Sequence, residues 1–334
     1  MKKILVTGAN GYIAKHVIAD LYKRQYSVRG TVRDLSYSEV IKQDIEKHLN
    51  SSIDIEFVKA SLDKDDGWNE AVKGCDAILH TASPFPINYI KDENELILPA
   101  KEGTLRVLNA AKLNSINRVI ITSSNAAVYA GNKHINEFDE TIWTNIDAKG
   151  VRAYTKSKTI AEKAAWDFIS KNSSITLTTI NPVLVWGPGL GDHLSSASLG
   201  IFKILMKKEM PMVPKIKMPI VDVRDVSKAH VDALENKDSY NKRFLVCENT
   251  YWFKDVCTKL KSVGINAPSI VAPSLLIKFL SLFDKKLKEI TPFLNYDFNI
   301  NSKQAKTVLG FKPIEFEKTL EDTYKYLNDL LKNK

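Results

Sequence analysis

The segment ILVTGANGYIA, residues 4–14, combines three local signals. Its first three residues are apolar, which is typical of a short strand buried on both faces. Gly8 and Gly11 follow in a turn, where the absence of a Cβ lets a ligand approach the backbone closely. Apolar residues then recur at helical spacing from residue 13 to residue 21. Because the free amides at a helix N-terminus attract phosphate, the segment predicts a loop that binds a dinucleotide.

Strands and helices alternate through the first half of the chain. The hydrophobic pattern predicts further strands at residues 26–32, 55–58, 77–79 and 118–121, with helices at 37–49, 68–73 and 95–113. This alternation is typical of an α/β fold with a Rossmann-type, doubly wound parallel sheet. Ligands of such sheets bind outside the carboxyl ends of the strands, where this sequence places its polar clusters.

Length and composition indicate an ordinary globular protein. The chain has 334 residues, of which 44% are hydrophobic and 26% are charged, enough for one large domain or two closely joined ones. No apolar run approaches the ~20 residues that span a bilayer, and the first residues lead directly into a strand. We therefore expect no membrane segment, no signal peptide and a cytoplasmic location.

Charge and cysteine content narrow the possible partners. The net charge is +9, but the lysines are scattered, without the basic stripe or tail that predicts nucleic-acid binding. Cys75, Cys247 and Cys257 have neither metal-binding nor redox spacing, so we expect free thiols in a reducing compartment. The predicted partner is a small molecule, with no nucleic acid and no metal.

Two charged residues end the second predicted strand. About twenty residues after such a glycine turn, a carboxylate hydrogen-bonds the ribose 2′-hydroxyl of NAD, whereas an arginine pairs with the 2′-phosphate of NADP. Arg33 comes first, at the tip of the strand, and Asp34 follows it. We favour Arg33, since a planar guanidinium suits a doubly charged phosphate, and therefore NADP(H) over NAD(H).

A tyrosine and a lysine begin a predicted helix after residue 150. Tyr154 and Lys158 are four residues apart and therefore share one helix face. A phenol is a poor acid at neutral pH, and a neighbouring ammonium is expected to lower its pKa. Ser124, at the end of the fifth strand, is placed to hydrogen-bond a substrate carbonyl. A second pair with this spacing, Tyr129 and Lys133, lies on a glycine-bearing loop and is interpreted as a coincidence.

Several motifs follow one another along most of the chain. They are TGANGYI at 7–13, GTVR at 30–33, HTASPF at 80–85, TSS at 122–124, YxxxK at 154–158, NPV at 181–183, WGP at 186–188 and VDVRDV at 221–226. In this order they resemble the extended short-chain dehydrogenase/reductases. Within them the chain looks like the branch of dihydroflavonol reductases, cinnamoyl-CoA reductases and yeast-type methylglyoxal reductases, which implies a Rossmann-type domain with a smaller C-terminal substrate lobe.

The resemblance implies roles for the residues at matching positions. The catalytic residues would be Ser124, Tyr154 and Lys158. The cofactor would be bound by Gly8, Asn10, Gly11, Tyr12, Ile13, Arg33, Ser61, Leu62, Thr81, Ala82, Tyr154, Lys158, Pro182 and Val185. The substrate would contact Phe85, Asn125 and Tyr129.

The chain departs from the family pattern in three places. A lysine that often follows the arginine of the second strand is absent, since Ser36 and Tyr37 occupy that region. Ser61 stands where an aspartate often meets the adenine amino group. The Asn-Trp-Tyr-Cys-Tyr-type motif of plant cinnamoyl-CoA reductases is missing, because Arg152 and an alanine precede the tyrosine. A role in plant lignin synthesis is therefore not expected.

Beyond residue 182 the alternation loosens. We expect residues 1–182 to form the dinucleotide-binding domain, with 220–250 returning to the sheet and a last strand at 244–247. Residues 183–219 and 251–334 would form the substrate lobe and a lid, and the glycines at 187–191 predict a mobile loop. Arg224 lies between Asp222 and Asp225, and these charges are expected to form ion pairs rather than act in catalysis.

Together these features predict an NADPH-dependent carbonyl reductase that acts on an aldehyde, a ketone or a dicarbonyl, with Tyr154 as proton donor. Two alternatives remain open. A nucleotide-sugar epimerase or dehydratase shares the fold and the catalytic residues but retains its NAD, and a non-catalytic dinucleotide sensor would not need Tyr154 and Lys158. The sequence leaves open whether the chain is a monomer or a homodimer.

Overall fold

The computed structural model describes residues 1–84 and 92–332. The strands are β1 (Lys3–Thr7), β2 (Ser27–Val32), β3 (Ile55–Lys59), β4 (Ala77–His80), β5 (Arg118–Thr122), β6 (Glu137–Phe138), β7 (Thr176–Pro182), β8 (Leu184–Trp186), β9 (Lys217–Asp222), β10 (Lys242–Val246), β11 (Asn249–Trp252) and β12 (Asn299–Ile300). The helices are α1 (Tyr12–Lys23), α2 (Ser38–Leu49), α3 (Trp68–Val72), α4 (Asn94–Leu113), α5 (Ala153–Ser170), α6 (Gly200–Met206), α7 (Val223–Glu235), α8 (Phe253–Ser262), α9 (Ser274–Leu280), α10 (Lys285–Ile290), α11 (Lys303–Val308) and α12 (Phe316–Lys332). No helix in this part of the chain combines the length and the apolar surface that a membrane span requires.

A seven-stranded parallel sheet forms the centre of the fold. Its strand order is β10-β7-β5-β4-β1-β2-β3, so the chain changes direction across the sheet between β1 and β4. Loops after these two strands leave in opposite directions and open a crevice at the carboxyl edge of the sheet. The predicted Rossmann-type, doubly wound sheet is confirmed, and the crevice is where its ligand is expected.

Both faces of the sheet are covered, as the apolar β1 sequence predicts. Ile4 and Val6 point into a core shared with α1, α2 and α7, whereas Leu5 points into a second core with α3, α4 and α5. All three side chains are buried. Successive residues of a strand face opposite sides, so three consecutive apolar residues are what a strand covered on both faces requires.

One central strand lacks the expected signal. No strand is predicted for residues 176–182, yet β7 lies between β5 and β10. Its Thr178, Thr179 and Asn181 are fully buried and polar. Each is hydrogen-bonded: Thr178 Oγ1, for example, donates to the Ser239 carbonyl at 2.6 Å. These internal hydrogen bonds offset the cost of burying polar side chains in a core strand. The polar side chains interrupt the apolar pattern from which a buried strand is predicted.

The remaining strands lie outside the main sheet, except β10. The predicted last strand at 244–247 is found at β10, which pairs with β7 in register Phe244 to Ile180. β8, β9 and β11 form a three-stranded sheet, and β6 pairs with β12. The chain thus crosses from the central sheet to the smaller sheet at β8 and back again at β10.

The loop at residues 187–191, expected to be mobile, is tied to two helices. The Tyr12 hydroxyl of α1 donates to the Gly187 carbonyl at 2.7 Å. The Tyr326 hydroxyl of α12 donates to the Gly191 carbonyl at 2.8 Å. These bonds anchor both ends of the loop, and its mobility stays a prediction. Distant helices supply the partners, and local sequence does not reveal them.

The ion pair expected between Arg224 and Asp222 is formed, whereas Asp225 has a different partner. Arg224 Nη2 pairs with Asp222 Oδ2 at 2.7 Å, and Nη1 pairs with Asp322 Oδ2 at 2.8 Å. Asp225 instead accepts a 2.9 Å hydrogen bond from the Ile314 amide. Burial raises the pKa of Asp225 to about 7. The ion pair with Asp322 anchors α12 to the start of α7.

Candidate active site

The turn after β1 is shaped for close contact with a ligand. Gly8 has φ +67°, and a Cβ added to it would lie 3.0 Å from the Cβ of Ala82. Gly11 caps α1 without any side-chain hydrogen bond. The amides of the first helical turn therefore point into the crevice with their hydrogen-bonding capacity and the positive end of the helix dipole, a combination that suits a phosphate group.

Hydrogen bonds join this turn to the end of β4. Thr7 Oγ1 lies 2.8 Å from His80 Nδ1 and accepts a 3.1 Å bond from the Ala82 amide, while Thr81 Oγ1 donates to the Thr7 carbonyl at 2.5 Å. Burial lowers the pKa of His80 to about 3, so its imidazole is neutral and structural. These bonds place Thr81 and Ala82, two expected cofactor contacts, directly beside the glycine turn.

Tyr12 and Ile13 begin α1 immediately after the turn. The Tyr12 hydroxyl is already bonded to the loop at 187–191, and burial raises the pKa of this phenol well above its usual range. Its side chain is therefore structural, and the expected role in cofactor binding would fall to the backbone amides. Asn10 and Gly11 are exposed at the same turn.

Arg33 and Asp34 differ in what they already bind. Asp34 Oδ1 accepts a 3.0 Å hydrogen bond from the Ser36 amide and caps a short 3₁₀ turn, which lowers the pKa of its carboxyl. The Arg33 side chain is exposed at the tip of β2. The carboxylate is thus engaged in local structure, whereas the guanidinium is accessible to an anion. This difference favours Arg33 as the residue that meets the cofactor ribose.

Ser61 and Leu62 follow β3 at the same edge. The Ser61 hydroxyl hydrogen-bonds the Asp63 carboxylate, and the Ser61 carbonyl accepts a 2.9 Å bond from Trp68 Nε1. Leu62 packs on α4, where a Cβ at Gly103 would lie only 2.8 Å from the Leu62 Cβ. Both residues are partly exposed, as the wall of an adenine site must be.

Ser124, Tyr154 and Lys158 meet at the carboxyl edge of β5. Ser124 precedes a 3₁₀ turn and its Oγ accepts a 3.1 Å bond from the Ala126 amide. The side chains of Ser124 and Tyr154 are hydrogen-bonded to each other. The Lys158 Nζ lies 5.9 Å from the centre of the Tyr154 ring and donates a 2.8 Å bond to Ser83 Oγ. The sequence-predicted catalytic residues therefore come together.

The pKa values of this group differ from the expectation. Burial raises the pKa of Tyr154, and the hydrogen bond from Ser124 only partly opposes the rise. Burial also lowers the pKa of Lys158 to about 8, against the opposing effect of Glu162. The net shift of the phenol pKa is therefore upward, opposite to the lowering expected from Lys158, because burial is its largest cause.

A buried carboxylate below the lysine was missed by sequence reasoning. Glu162 lies one helical turn beyond Lys158 and is 2% exposed. Its oxygens accept a 2.7 Å bond from Arg243 Nε and a 2.7 Å bond from Asn181 Nδ2. The Ser123 hydroxyl also donates to Glu162. An i+4 position after the lysine predicted to be catalytic is the one signal that the sequence offers, and it does not reveal partners from β7 and β10.

Comparison with known proteins agrees with this geometry. The chain matches the NAD dependent epimerase/dehydratase family over residues 4–247, which includes the glycine turn and all three catalytic candidates. The chain belongs to this family. The expected resemblance to the extended short-chain dehydrogenase/reductases is thereby confirmed.

Two family members are similar over almost their whole length. A cinnamoyl-CoA reductase of Medicago truncatula is 33% identical, covering 98% of this chain and 95% of that protein. An NADPH-dependent methylglyoxal reductase of Saccharomyces cerevisiae is 29% identical, covering 96% of both. The crystal structure of the yeast methylglyoxal/isovaleraldehyde reductase complexed with NADPH superposes with a TM-score of 0.81 at 28% identity, over 99% of this chain and all of that one.

The three residues expected to contact the substrate are only partly within the described structure. Phe85 lies outside the described residues. Asn125 is 1% exposed, and neither amide atom of its side chain has a hydrogen-bond partner in residues 1–84 and 92–332. Tyr129 stacks on Phe298 with ring centres 5.5 Å apart. It also lines a cavity together with Lys133.

Pro182 and Val185 were expected to contact the cofactor from the other side. Pro182 ends β7, and Val185 lies in β8 opposite Val221 of β9. Both side chains are buried, and Val185 belongs to the main core. Contact with a cofactor at these two positions would therefore be made through the backbone.

Proposed function

We propose that this protein is an NADPH-dependent carbonyl reductase that reduces an aldehyde, a ketone or a dicarbonyl to the alcohol, with Tyr154 as the proton donor. The observation that carries the proposal is the meeting of Ser124, Tyr154 and Lys158 beside the glycine turn of a family crevice. The names of the Medicago and yeast relatives support a reductase, and that of the yeast enzyme supports NADPH.

The residues around the turn fit a dinucleotide. Gly8 leaves a space that a Cβ would fill, and Gly11 leaves the amides of α1 without a side-chain cap. Arg33 would bind the 2′-phosphate, Ser61 and Leu62 would contact the adenine, and the chain around Thr81 would follow the ribose. The accessible guanidinium beside an engaged carboxylate supports NADP(H) over NAD(H).

The chemistry of the site then follows from three side chains. Bound NADPH supplies the hydride that adds to the carbonyl carbon. Ser124 hydrogen-bonds the carbonyl oxygen and stabilises the negative charge that develops on it. Tyr154 donates its proton to that oxygen, which completes the alcohol. Lys158 holds its positive charge close to the tyrosine ring, stabilises the phenolate that remains, and would hold the ribose of the cofactor.

The domain division belongs to the same proposal. Residues 1–182, with 220–250, would bind the cofactor, while 183–219 and 251–334 would form the substrate lobe and lid. The cysteines are free thiols, which suits a reducing compartment such as the cytoplasm.

A cofactor and substrate screen tests the proposal. Purified protein is mixed with NADPH or NADH and a panel of aldehydes, ketones and dicarbonyls, and oxidation of the cofactor is followed by absorbance. We expect turnover with NADPH and a clear preference for it over NADH. Tightly held NAD with no turnover of added NADPH would contradict the proposal and favour an epimerase or dehydratase.

A further inference from the structure

A large cavity opens next to the catalytic tyrosine. Its volume is about 540 Å³, which is within the range for small-molecule sites. Aromatic rings of Tyr129, Phe293 and Tyr296 form part of its wall, and Thr155 connects it to α5. Tyr129 and Arg152, which both line it, act electrostatically on the Tyr154 phenol, so the cavity lies close to that side chain.

The wall carries four basic side chains. They are Lys133, His134, Lys149 and Arg152. Among the described residues that line the cavity, none is an aspartate or a glutamate. The two lysines and the histidine are exposed at the mouth, whereas Arg152 is half-buried and lies two residues before Tyr154. A positive wall of this kind attracts an anionic ligand and repels a cationic one.

Arg152 has unused hydrogen-bonding capacity. Its Nε is buried and has no hydrogen-bond partner in the described part of the chain. Its Nη1 lies 3.4 Å from an oxygen of Glu289, a carboxylate that is itself half exposed. Such an exposed ion pair contributes ~0–1 kcal/mol, so another carboxylate can replace it at little cost. The contact with Glu289 shows that a carboxylate can reach this guanidinium.

We propose that the cavity selects carbonyl compounds that carry a carboxylate, and that Arg152 is the residue that binds this group. This inference rests on the proposed reductase function. A planar guanidinium pairs with a carboxylate through two parallel hydrogen bonds, and the aromatic wall contacts the carbon skeleton between the carboxylate and the carbonyl. Arg152 also breaks the motif that precedes the tyrosine in plant cinnamoyl-CoA reductases, so this selectivity would distinguish the chain within its family.

Binding of a compound that cannot be reduced tests the site without requiring turnover. The probes are 4-(hydroxymethyl)benzoate and its methyl ester, titrated by calorimetry into the full-length protein. We expect the acid to bind about tenfold more tightly than the ester, the gain typical of a charge-assisted pair. Equal affinities, or no measurable binding of the acid, would overturn the inference.

Three variants locate the interaction. Arg152→Gln removes the guanidinium and should abolish the preference for the acid. Glu289→Gln removes the competing carboxylate and should preserve or increase it. Lys171→Gln removes one positive charge at the far end of α5 and should preserve it. A preference that survives in Arg152→Gln, or disappears equally in Lys171→Gln, would show a general charge effect and overturn the assignment to Arg152.

Turnover separates this inference from the reductase proposal. The ratio of kcat/KM for 4-formylbenzoate to that for its methyl ester should fall about tenfold in Arg152→Gln, through KM. An unchanged ratio would overturn the inference and leave the reductase function intact. If neither aldehyde is reduced but the acid still binds through Arg152, the reductase proposal for these compounds fails and the anion site remains.

Discussion

Glu162 and Arg243 form a buried ion pair one helical turn beyond Lys158. Arg243 Nε donates to Glu162 Oε1 at 2.7 Å, and the guanidinium lies 3.7 Å from the centre of the Trp143 ring. Arg243 Nη1 also donates to the carbonyls of Glu140 and Ile142. The pair joins α5 to β10 and to the segment before α5. It therefore fixes the helix that carries Tyr154 and Lys158, the proposed catalytic residues.

We expect Arg243→Met to destabilise the protein strongly. Removing the guanidinium leaves the Glu162 carboxylate buried and without its ionic partner, which typically costs about 3–5 kcal/mol in the free energy of unfolding. Urea denaturation followed by circular dichroism measures the change. The double variant Glu162→Gln/Arg243→Met should recover part of the loss, since no charge is then left unpaired. Equal or greater destabilisation in the double variant would contradict this account.

The lowered pKa of Lys158 predicts a pH dependence of stability. The unfolded chain holds this proton up to about pH 10.5, whereas the folded chain releases it near pH 8. Because the unfolded state binds more protons between these values, the free energy of unfolding should rise with pH in that window, by on the order of 3 kcal/mol in total from this group. Urea denaturation across this pH range measures the rise.

The matched control for this prediction is Lys158→Met, which lacks the titrating group and should lack the corresponding part of the rise. Reductase activity should move in the opposite direction. The charged lysine is needed in the proposed reaction, so kcat/KM should fall as the pH increases through about 8. Parallel stability profiles for the two proteins would contradict the assignment of the pKa to Lys158.

Cofactor preference should depend on Arg33 and not on Asp34. Removing the guanidinium in Arg33→Ala should lower the ratio of kcat/KM with NADPH to that with NADH by about ten- to a hundredfold, since a charge-assisted contact with the 2′-phosphate is lost. Steady-state kinetics with both cofactors give the ratio. Asp34→Asn keeps an oxygen that accepts the Ser36 hydrogen bond and should leave the preference near its original value. The reverse pattern would assign the choice to Asp34.

Gly8 and Gly74 allow close contact to be separated from backbone strain. Both have positive φ, +67° and +74°, but a Cβ at Gly8 would meet Ala82 at 3.0 Å, whereas one at Gly74 would meet nothing within 4 Å. Gly8→Ala should therefore lose NADPH affinity as well as stability. Gly74→Ala should lose about 1 kcal/mol of stability and keep the affinity. Fluorescence titration with NADPH measures the affinity. Equal NADPH affinities of the two variants would argue against close contact between the cofactor and the glycine turn at Gly8.

Local patterns in the sequence predict the fold well where each strand is apolar and each helix amphipathic. β1 to β5 are found within a few residues of the predicted positions. Thr178 bonds Ser239 and Glu162 bonds Arg243, across sequence separations of 61 and 81 residues. Such long-range pairs leave no periodic signal, so β7 and the buried carboxylate were missed.

In the candidate site, too, local sequence patterns predict some features and miss others. Strand-end position and helix spacing predict that Ser124, Tyr154 and Lys158 meet, and they do. Spacing alone does not predict the pKa of the tyrosine, because this depends on how much of the side chain the fold buries. It also did not distinguish Tyr129 and Lys133 as residues of a cavity wall, since that wall is completed by residues 292–296 from the other end of the chain.

The most direct measurement is the rate of the chemical step in Tyr154→Phe. This variant keeps the aromatic ring and removes only the hydroxyl that would donate the proton. A rapid-mixing experiment with bound NADPH and a carbonyl compound that the unmodified protein reduces should show hydride transfer slowed by at least about a hundredfold, the contribution of a positioned acid, while NADPH affinity stays within about twofold. Hydride transfer at the original rate in Tyr154→Phe would contradict the account.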